Sequence, residues 1–242
     1  MTDLTKLYIN FTGREVVEVW RWVALIGLLI ISGCTTKQTF NKPLTEQATI
    51  IAHRGASGYE KPHSVEAYDL ALAMEADYIE MDVQQAKDGT LVIAHDDATD
   101  ALAFEPTLQH YRNACIYIEI KQPTQSLVTA FERAITKIAP TCIVIQSFEE
   151  QALSSLQQYP LIWLIPKKQI GQLPRFTKQV GINEKYLTRK LVAQYHQQNI
   201  AVYAYTVNTT KRFEELLRYG IDGIFTDYPD LMLEVRTKKA PQ

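Results

Sequence analysis

"IIAHRGASGYEKPHSVEAYDLALAMEADYIEMDV", residues 50–83, decides how this chain is read. An apolar run ends abruptly in His53-Arg54-Gly55, and a second is interrupted by Glu80 and Asp82. Between them Val65, Tyr68 and Leu72 recur near the 3.6 period, and Ser64 stands where a helix N-cap belongs. The order strand, helix, strand therefore places an imidazole, a guanidinium and two carboxylates at the ends of apolar strands.

The same order continues downstream. Apolar strands are expected at 49–53, 78–83, 91–96, 115–121, 142–148, 161–166, 200–208 and 222–229. Lys87-Asp88-Gly89 marks a turn between the second and third of them. Helical patterns fill 126–139, 149–159, 189–199, 211–220 and 229–236. Leu127, Phe131, Ala134 and Ile138 form one stripe, and Gly220 closes its helix as a C-cap. Residues 167–188 carry no clear period and read as a connection. Eight continuous apolar runs, most of them separated by helices, predict strands buried on both faces, and hence a parallel sheet. The predicted fold is α/β, a (β/α)8 barrel forming a single domain over residues 49–242. An open doubly wound sheet would want G-x-G-x-x-G after its first strand, and "HRGASG" lacks that spacing.

The chain has 242 residues, 46% hydrophobic and 21% charged, with a net charge of −2. That is ample for one core and short for two full domains. No basic field exists to attract nucleic acid, so no nucleic-acid partner is expected.

The N-terminus differs in kind. "WVALIGLLIISG" is too short to span a bilayer, which needs roughly 20 apolar residues, but suits a signal-peptide core. "LIISGC" resembles the bacterial lipobox. On that resemblance residues 1–33 are a signal peptide, Cys34 carries a lipid, and residues 34–48 are a flexible tether. The implied location is the bacterial cell envelope, lipid-anchored to the membrane, on the periplasmic side of the outer membrane. Export would place Cys115 and Cys142 in an oxidising compartment. Each begins an apolar strand, so either a disulfide between neighbouring strands or two buried thiols is open.

In a parallel barrel the carboxyl ends of the strands converge on one mouth. His53, Arg54, Glu80, Asp82, His95, Asp96, Glu119 and Lys121 fall there, followed by Gln146, Ser147, Thr206, Asn208, Thr226 and Asp227. Glu80, Asp82 and Glu119 are three carboxylates in one mouth, unfavourable unless some protonate or a cation bridges them. All-oxygen ligands suit Ca²⁺ or Mg²⁺. Two histidines, an Arg and a Lys beside such a cation fit phosphate-ester chemistry.

"AHRGASGY", "DYIEMDVQQAKDGTLVIAHD", "IYIEIK", "YTVN" and "GIDGIFTDYPD", in order over residues 50–232, resemble the glycerophosphodiester phosphodiesterase family. That family has a (β/α)8 barrel of the phospholipase C-like phosphodiesterase type. It hydrolyses glycerophosphodiesters to glycerol 3-phosphate and an alcohol with a divalent metal. The resemblance implies Glu80, Asp82 and Glu119 as metal ligands, His53 as base and His95 as acid. Arg54 and Lys121 would hold phosphate oxygens, and Tyr205, where Trp is common, would pack beside the glycerol carbons.

The chain departs from the family pattern in two further places. Pro62 stands where P-E-N-T or P-E-H-T supplies a mouth Glu, and His63 is expected to hydrogen-bond a neighbouring loop. The segment after His95-Asp96 is cut short before Pro106-Thr107-Leu108, which predicts a more open site. Two alternatives follow: a phospholipase D-like or phosphoinositide-type phosphodiesterase acting on lipid headgroups, and a catalytically weak envelope lipoprotein.

Overall fold

The computed structural model describes residues 48–96 and 100–238. In chain order the elements are β1 (Thr49–Ala52), α1 (Val65–Ala73), β2 (Tyr78–Gln85), β3 (Leu91–Ile93), β4 (Leu102–Ala103), α2 (Phe104–His110), β5 (Cys115–Ile120), α3 (Gln125–Ile138), β6 (Cys142–Ser147), α4 (Glu150–Ser154), β7 (Leu161–Leu164), β8 (Gln179–Asn183), α5 (Arg189–His196), β9 (Ala201–Tyr205), α6 (Thr210–Tyr219), β10 (Gly223–Thr226) and α7 (Pro229–Lys238). β1 pairs in parallel with both β10 and β2, which closes the ring β1-β2-β5-β6-β7-β8-β9-β10. The (β/α)8 barrel is therefore present.

Local signals place the helices. Ser64, Thr124, Thr188 and Thr209 each accept a backbone N–H three residues on, as N-caps should. α3 buries Leu127, Phe131, Ala134 and Ile138, the stripe read from the sequence. Gly220 ends α6 in the left-handed region, at φ 86°.

Inside the barrel, side chains two residues apart point the same way. Ile51, Tyr117, Val144, Ile162 and Phe225 form one buried apolar layer. Two residues further along the same strands stand His53, Glu119, Gln146, Leu164 and Asp227. The lower layer shuts out water, and the upper layer faces the mouth at the carboxyl ends of the strands.

The strand count was met by a different set of residues. Leu91–Ile93, expected as the third barrel strand, instead runs antiparallel on β2 outside the ring, with β4 antiparallel beyond it. The reason is the connection. A tight turn at Lys87-Asp88-Gly89, with Gly89 at φ 89° and Asp88 accepting from Thr90, can join antiparallel strands. A parallel crossover needs about a dozen residues or more. The eighth barrel strand is β8, within the stretch read as a connection. Its core is Val180, Gly181 and Ile182, with polar ends. Gly181 breaks the apolar run because a Cβ there would lie 2.5 Å from Leu164 Cδ2.

Cys115 and Cys142 lie opposite each other in the β5–β6 register, with Cα atoms 4.5 Å apart, and are joined by a disulfide. The signal peptide, Cys34 and residues 34–47 of the tether lie outside the described residues. Ala48, expected as the last tether residue, is fully buried, and its carbonyl accepts from Arg236. Among the described residues no helix is long and apolar enough to cross a membrane.

The loop after β1 fixes how the site is built, and at Gly55 it packs against the backbone of α1. The Gly55 φ is +80°, and a Cβ would lie 2.6 Å from the backbone carbon of Ala67 in α1. Gly55→Ala is expected to destabilise the fold by more than about 1 kcal/mol, because both the backbone angle and the contact oppose it. A thermal melt within error of the unsubstituted protein would contradict that packing.

Candidate active site

The β1–α1 loop turns back on itself at two non-glycine residues in the left-handed region, Arg54 at φ 58° and His63 at φ 61°. Such conformations persist only where the surroundings impose them. Here the His63 N–H donates to the Arg54 carbonyl at 3.0 Å. The Arg54 N–H donates to Glu80 Oε2 at 2.9 Å. One loop thus delivers His53, Arg54 and His63 to the acidic ends of β2 and β5.

Glu80 and Asp82 are two apart on β2, and Asp82 is in register with Glu119 of β5. The first two are 1% exposed and Glu119 is 8% exposed. Each has compensating partners. Glu80 also accepts from Gln146 Nε2 at 3.1 Å. Asp82 Oδ2 accepts from His63 Nε2 at 2.9 Å, with Arg54 Nε 3.4 Å away. Lys121 Nζ lies 3.0 Å from Glu119 Oε1.

The three acids do not share the burden equally. Burial pushes the Glu80 carboxyl well above the usual range, and Asp82 and Glu119 push it further. Burial and then Asp82 raise Glu119 to about 7, against the pull of Lys121. Burial would raise Asp82 too, but the His63 bond and the charges of Lys121 and Arg54 hold it at about 2. Burial lowers His63, against the upward pull of Asp82, and this favours the neutral form of the imidazole that donates to Asp82.

A cavity of about 150 Å³ opens above these acids. His53, Arg54, Glu80, His95, Glu119 and Lys121 line its polar side; Phe148, Leu164, Tyr205 and Phe225 line its apolar side. Tyr205 packs edge-on against Phe148, with ring centroids 5.9 Å apart. His53 Nδ1 donates to Asp227 Oδ1 at 2.7 Å, which leaves Nε2 as the basic nitrogen. Asp227 is itself held by Ser57 at 2.8 Å and by Asn208. Those donors keep it below the usual carboxylate range although burial works the other way. His95 lies beside Asp96, Nδ1 to Oδ2 2.8 Å. Gln84 pins the His95 carbonyl, and hence that loop, to β2. A second, wider groove of about 530 Å³ shares Arg54 and His95 with the cavity and continues past Pro62, Ile93 and Leu102.

His53, Arg54, Glu80, Asp82, His95, Glu119, Lys121 and Tyr205 are therefore gathered at one mouth; Cys34 lies outside the described residues. His63 does not bond a loop as expected. It bonds Asp82 on β2 and Tyr68 Oη on α1, the latter at 2.9 Å. Sequence reading left Asp227, Gln146 and Asn208 as strand-end polar residues without a role, and missed Ser57. Asp227 had a signal: it stands two residues beyond inward-facing Phe225, as His53 does beyond Ile51.

This donor set fits a hard divalent cation. His63 Nε2 and oxygens of Glu80 and Asp82 lie within 4.8 Å of one another. The His63 hydrogen is already given to Asp82, so the carboxylates of Glu80, Asp82 and Glu119 are the groups left to bind, all through oxygen. Burial first, and then the neighbouring carboxylates, raise Glu80 and Glu119, and a bound cation would relieve the repulsive part.

The model of the family described as "Glycerophosphoryl diester phosphodiesterase family" matches residues 53–107 and 109–231. YhdW of Bacillus subtilis (strain 168), provisionally named a glycerophosphodiester phosphodiesterase, is 30% identical over 240 residues, covering 76% of this chain and 96% of its own. A glycerophosphodiester phosphodiesterase of the same organism is 26% identical over 281 residues, covering 89% and 96%. The fold resembles that of an Oleispira antarctica phosphodiesterase solved with the product sn-glycerol-3-phosphate. That match has a TM-score of 0.69 and 18% identity, over 78% of this chain and 96% of that one.

The Glu119 value gives a pH test. A carboxyl raised in the folded state from 4.5 to about 7 contributes stability below its unfolded value and loses it as pH rises through 7. Saturating Mg²⁺ or Ca²⁺ should therefore raise the melting temperature more at about pH 8 than at about pH 5.5, where protons compete for the ligand. An equal gain at both values would remove Glu119 from the cation's ligands.

Proposed function

The chain belongs to the glycerophosphoryl diester phosphodiesterase family, and on that premise we propose that it hydrolyses glycerophosphodiesters to glycerol 3-phosphate and an alcohol. Glu80, Asp82 and Glu119 would hold Ca²⁺ or Mg²⁺. The observation that carries the reading is that both histidines and both cationic side chains line one cavity above the buried acids.

The bound cation would supply charge neutralisation for the phosphodiester oxygens. Arg54 and Lys121 hold those oxygens from the protein side. Tyr205 and Phe148 offer the apolar wall against which the glycerol carbons pack. His53, oriented by Asp227, takes the proton of the glycerol 2-hydroxyl as its oxygen bonds to phosphorus. The bond to the departing alcohol breaks, and His95 gives that oxygen a proton. Water then opens the cyclic phosphate with the roles reversed: His95 takes a proton from water, and His53 returns one to the 2-oxygen. A substrate without the neighbouring hydroxyl reacts poorly on this route.

The assignment of His95 as acid puts the departing alcohol on its side, and that side is the wide groove. The alcohol is then loosely held, while the glycerol phosphate half is enclosed. Lipidation of Cys34 and an envelope location complete the reading, supported by the apolar run and small residues ahead of that cysteine.

His53→Ala and His95→Ala should each lower turnover about a hundredfold or more, as loss of a general base or acid does. Glycerol 3-phosphate release from glycerophosphocholine in the presence of Mg²⁺ or Ca²⁺ is the assay. With a glycerol phosphodiester of p-nitrophenol, whose leaving group needs no proton, the first-step release of p-nitrophenolate should be restored in His95→Ala and not in His53→Ala, while opening of the cyclic phosphate stays slow in both. The opposite pattern would exchange the two roles. Loose holding of the alcohol predicts kcat/KM values for the choline, ethanolamine and glycerol diesters within about tenfold of one another. Discrimination of several thousandfold would place specific alcohol contacts in the groove.

A further inference from the structure

We propose that Tyr68 and His63 form a buried positioning relay that aims the Asp82 carboxylate at the divalent cation. The inference rests on the reading of Glu80, Asp82 and Glu119 as the cation's ligands.

The relay is visible atom by atom. A carboxylate only accepts, so His63 Nε2 carries the hydrogen that Asp82 Oδ2 receives at 2.9 Å. The other ring nitrogen, Nδ1, lies 2.9 Å from the Tyr68 hydroxyl. In the neutral ring that nitrogen accepts, and the phenol donates to it. The tautomer is then fixed from behind, and Asp82 always meets a donor. Tyr68 is fully buried. It is wedged edge-on against Tyr111, ring centroids 5.4 Å apart, and Tyr111 is tied to Asp69 and to the Val65 carbonyl. The Ser64 cap sets the start of α1, so the helix presents Tyr68 one turn in, beneath His63.

The consequence falls on Asp82. Its Oδ2 is engaged by His63 and approached by Arg54, while the carboxylate as a whole lies within hydrogen-bonding reach of Glu119. Tying one oxygen turns the other toward the neighbouring acid, where a shared cation would sit. Partners behind a ligand set its direction in this way and affect affinity without touching the ion. The position before the relay is Pro62, which has no carboxylate and faces the outer groove. Alignment of the acids on this side therefore depends on His63. The left-handed backbone at His63, in a residue that is not glycine, is what points its ring inward.

Cation binding to the EDTA-treated protein, followed by calorimetry with Mg²⁺ and with Ca²⁺, tests this without substrate. His63→Ala should weaken binding by about 10- to 100-fold, and Tyr68→Phe by about tenfold. His63→Gln, whose side-chain amide can donate where Nε2 does, should recover affinity to within about threefold of the unsubstituted protein. The nitrogen-15 spectrum of the imidazole should show Nε2 protonated and Nδ1 bare, with that preference lost in Tyr68→Phe. Affinity unchanged in folded His63→Ala and Tyr68→Phe would overturn the relay. So would a His63→Gln protein as weak as His63→Ala, which would make the ring a direct ligand. If His63→Ala does not fold, Tyr68→Phe and the imidazole spectrum decide alone, and an Nδ1-protonated ring sinks the idea. A chain that binds cation as described yet releases no glycerol 3-phosphate would reject the proposed activity and leave the relay standing.

Discussion

Three carboxylates buried at one end of a barrel set the terms for the rest of this molecule. Taking a single ionised carboxylate out of water costs several kcal/mol even after relaxation, and like charges in contact add to it. Glu80, Asp82 and Glu119 are each answered by separate devices: a backbone N–H from a strained loop, an amide from Gln146, a neutral imidazole, and a lysine two residues along the strand. These answers are incomplete. Asp82 stays ionised at the expense of its neighbours, whose carboxyls are raised. A site left with that imbalance is one in which a divalent cation gains more than it would at a satisfied ion pair.

The architecture beneath the acids makes the imbalance effective. Ile51, Tyr117, Val144, Ile162 and Phe225 fill the barrel below the polar layer, so charges above them are not screened by water from that side. The same layer explains why the polar residues come two positions after apolar ones on several strands. Barrel geometry allows only one inward residue per layer on a strand, and the chain uses the lower for packing and the upper for chemistry. His53 and Asp227 show this pairing on adjacent strand ends: β1 and β10 lie side by side, and the residues that follow them meet at 2.7 Å.

Much of this was legible in the sequence, and the exceptions have physical causes. The polar breaks in apolar runs located the mouth because a parallel barrel collects strand ends. The strand set was misread twice. Residues 91–93 are as apolar as a barrel strand, and only the shortness of the turn before them excludes a parallel crossover. β8 was hidden because Gly181 yields its side-chain space to Leu164, which removes the apolar signal from the middle of the strand. His63 could not be placed from its position at a helix start, since its direction follows from a left-handed backbone angle that sequence patterns do not encode. The disulfide was open for a similar reason: the register of β5 on β6, rather than composition, brings Cys115 opposite Cys142.

On the proposed mechanism, the two halves of the mouth differ in a way that follows from the chemistry asked of them. The glycerol half must bring a hydroxyl oxygen in line with phosphorus, and orientation of that kind supplies a large part of a rate enhancement. It is met by a small cavity with aromatic walls and a histidine fixed by Asp227. The departing half needs only a proton and a way out. On that proposal it would be met by His95, a third exposed, at the edge of a wide groove. The aromatic wall and His53 come from strands other than the one that leads into Asp96, so the segment after Asp96 can vary without touching them. Position 62 is different in kind, because Pro62 carries no carboxylate beside the acids. On that side the His63 bond and the nearby Arg54 guanidinium steady Asp82, so a loose His63 would bear on the acids more directly than an open exit does.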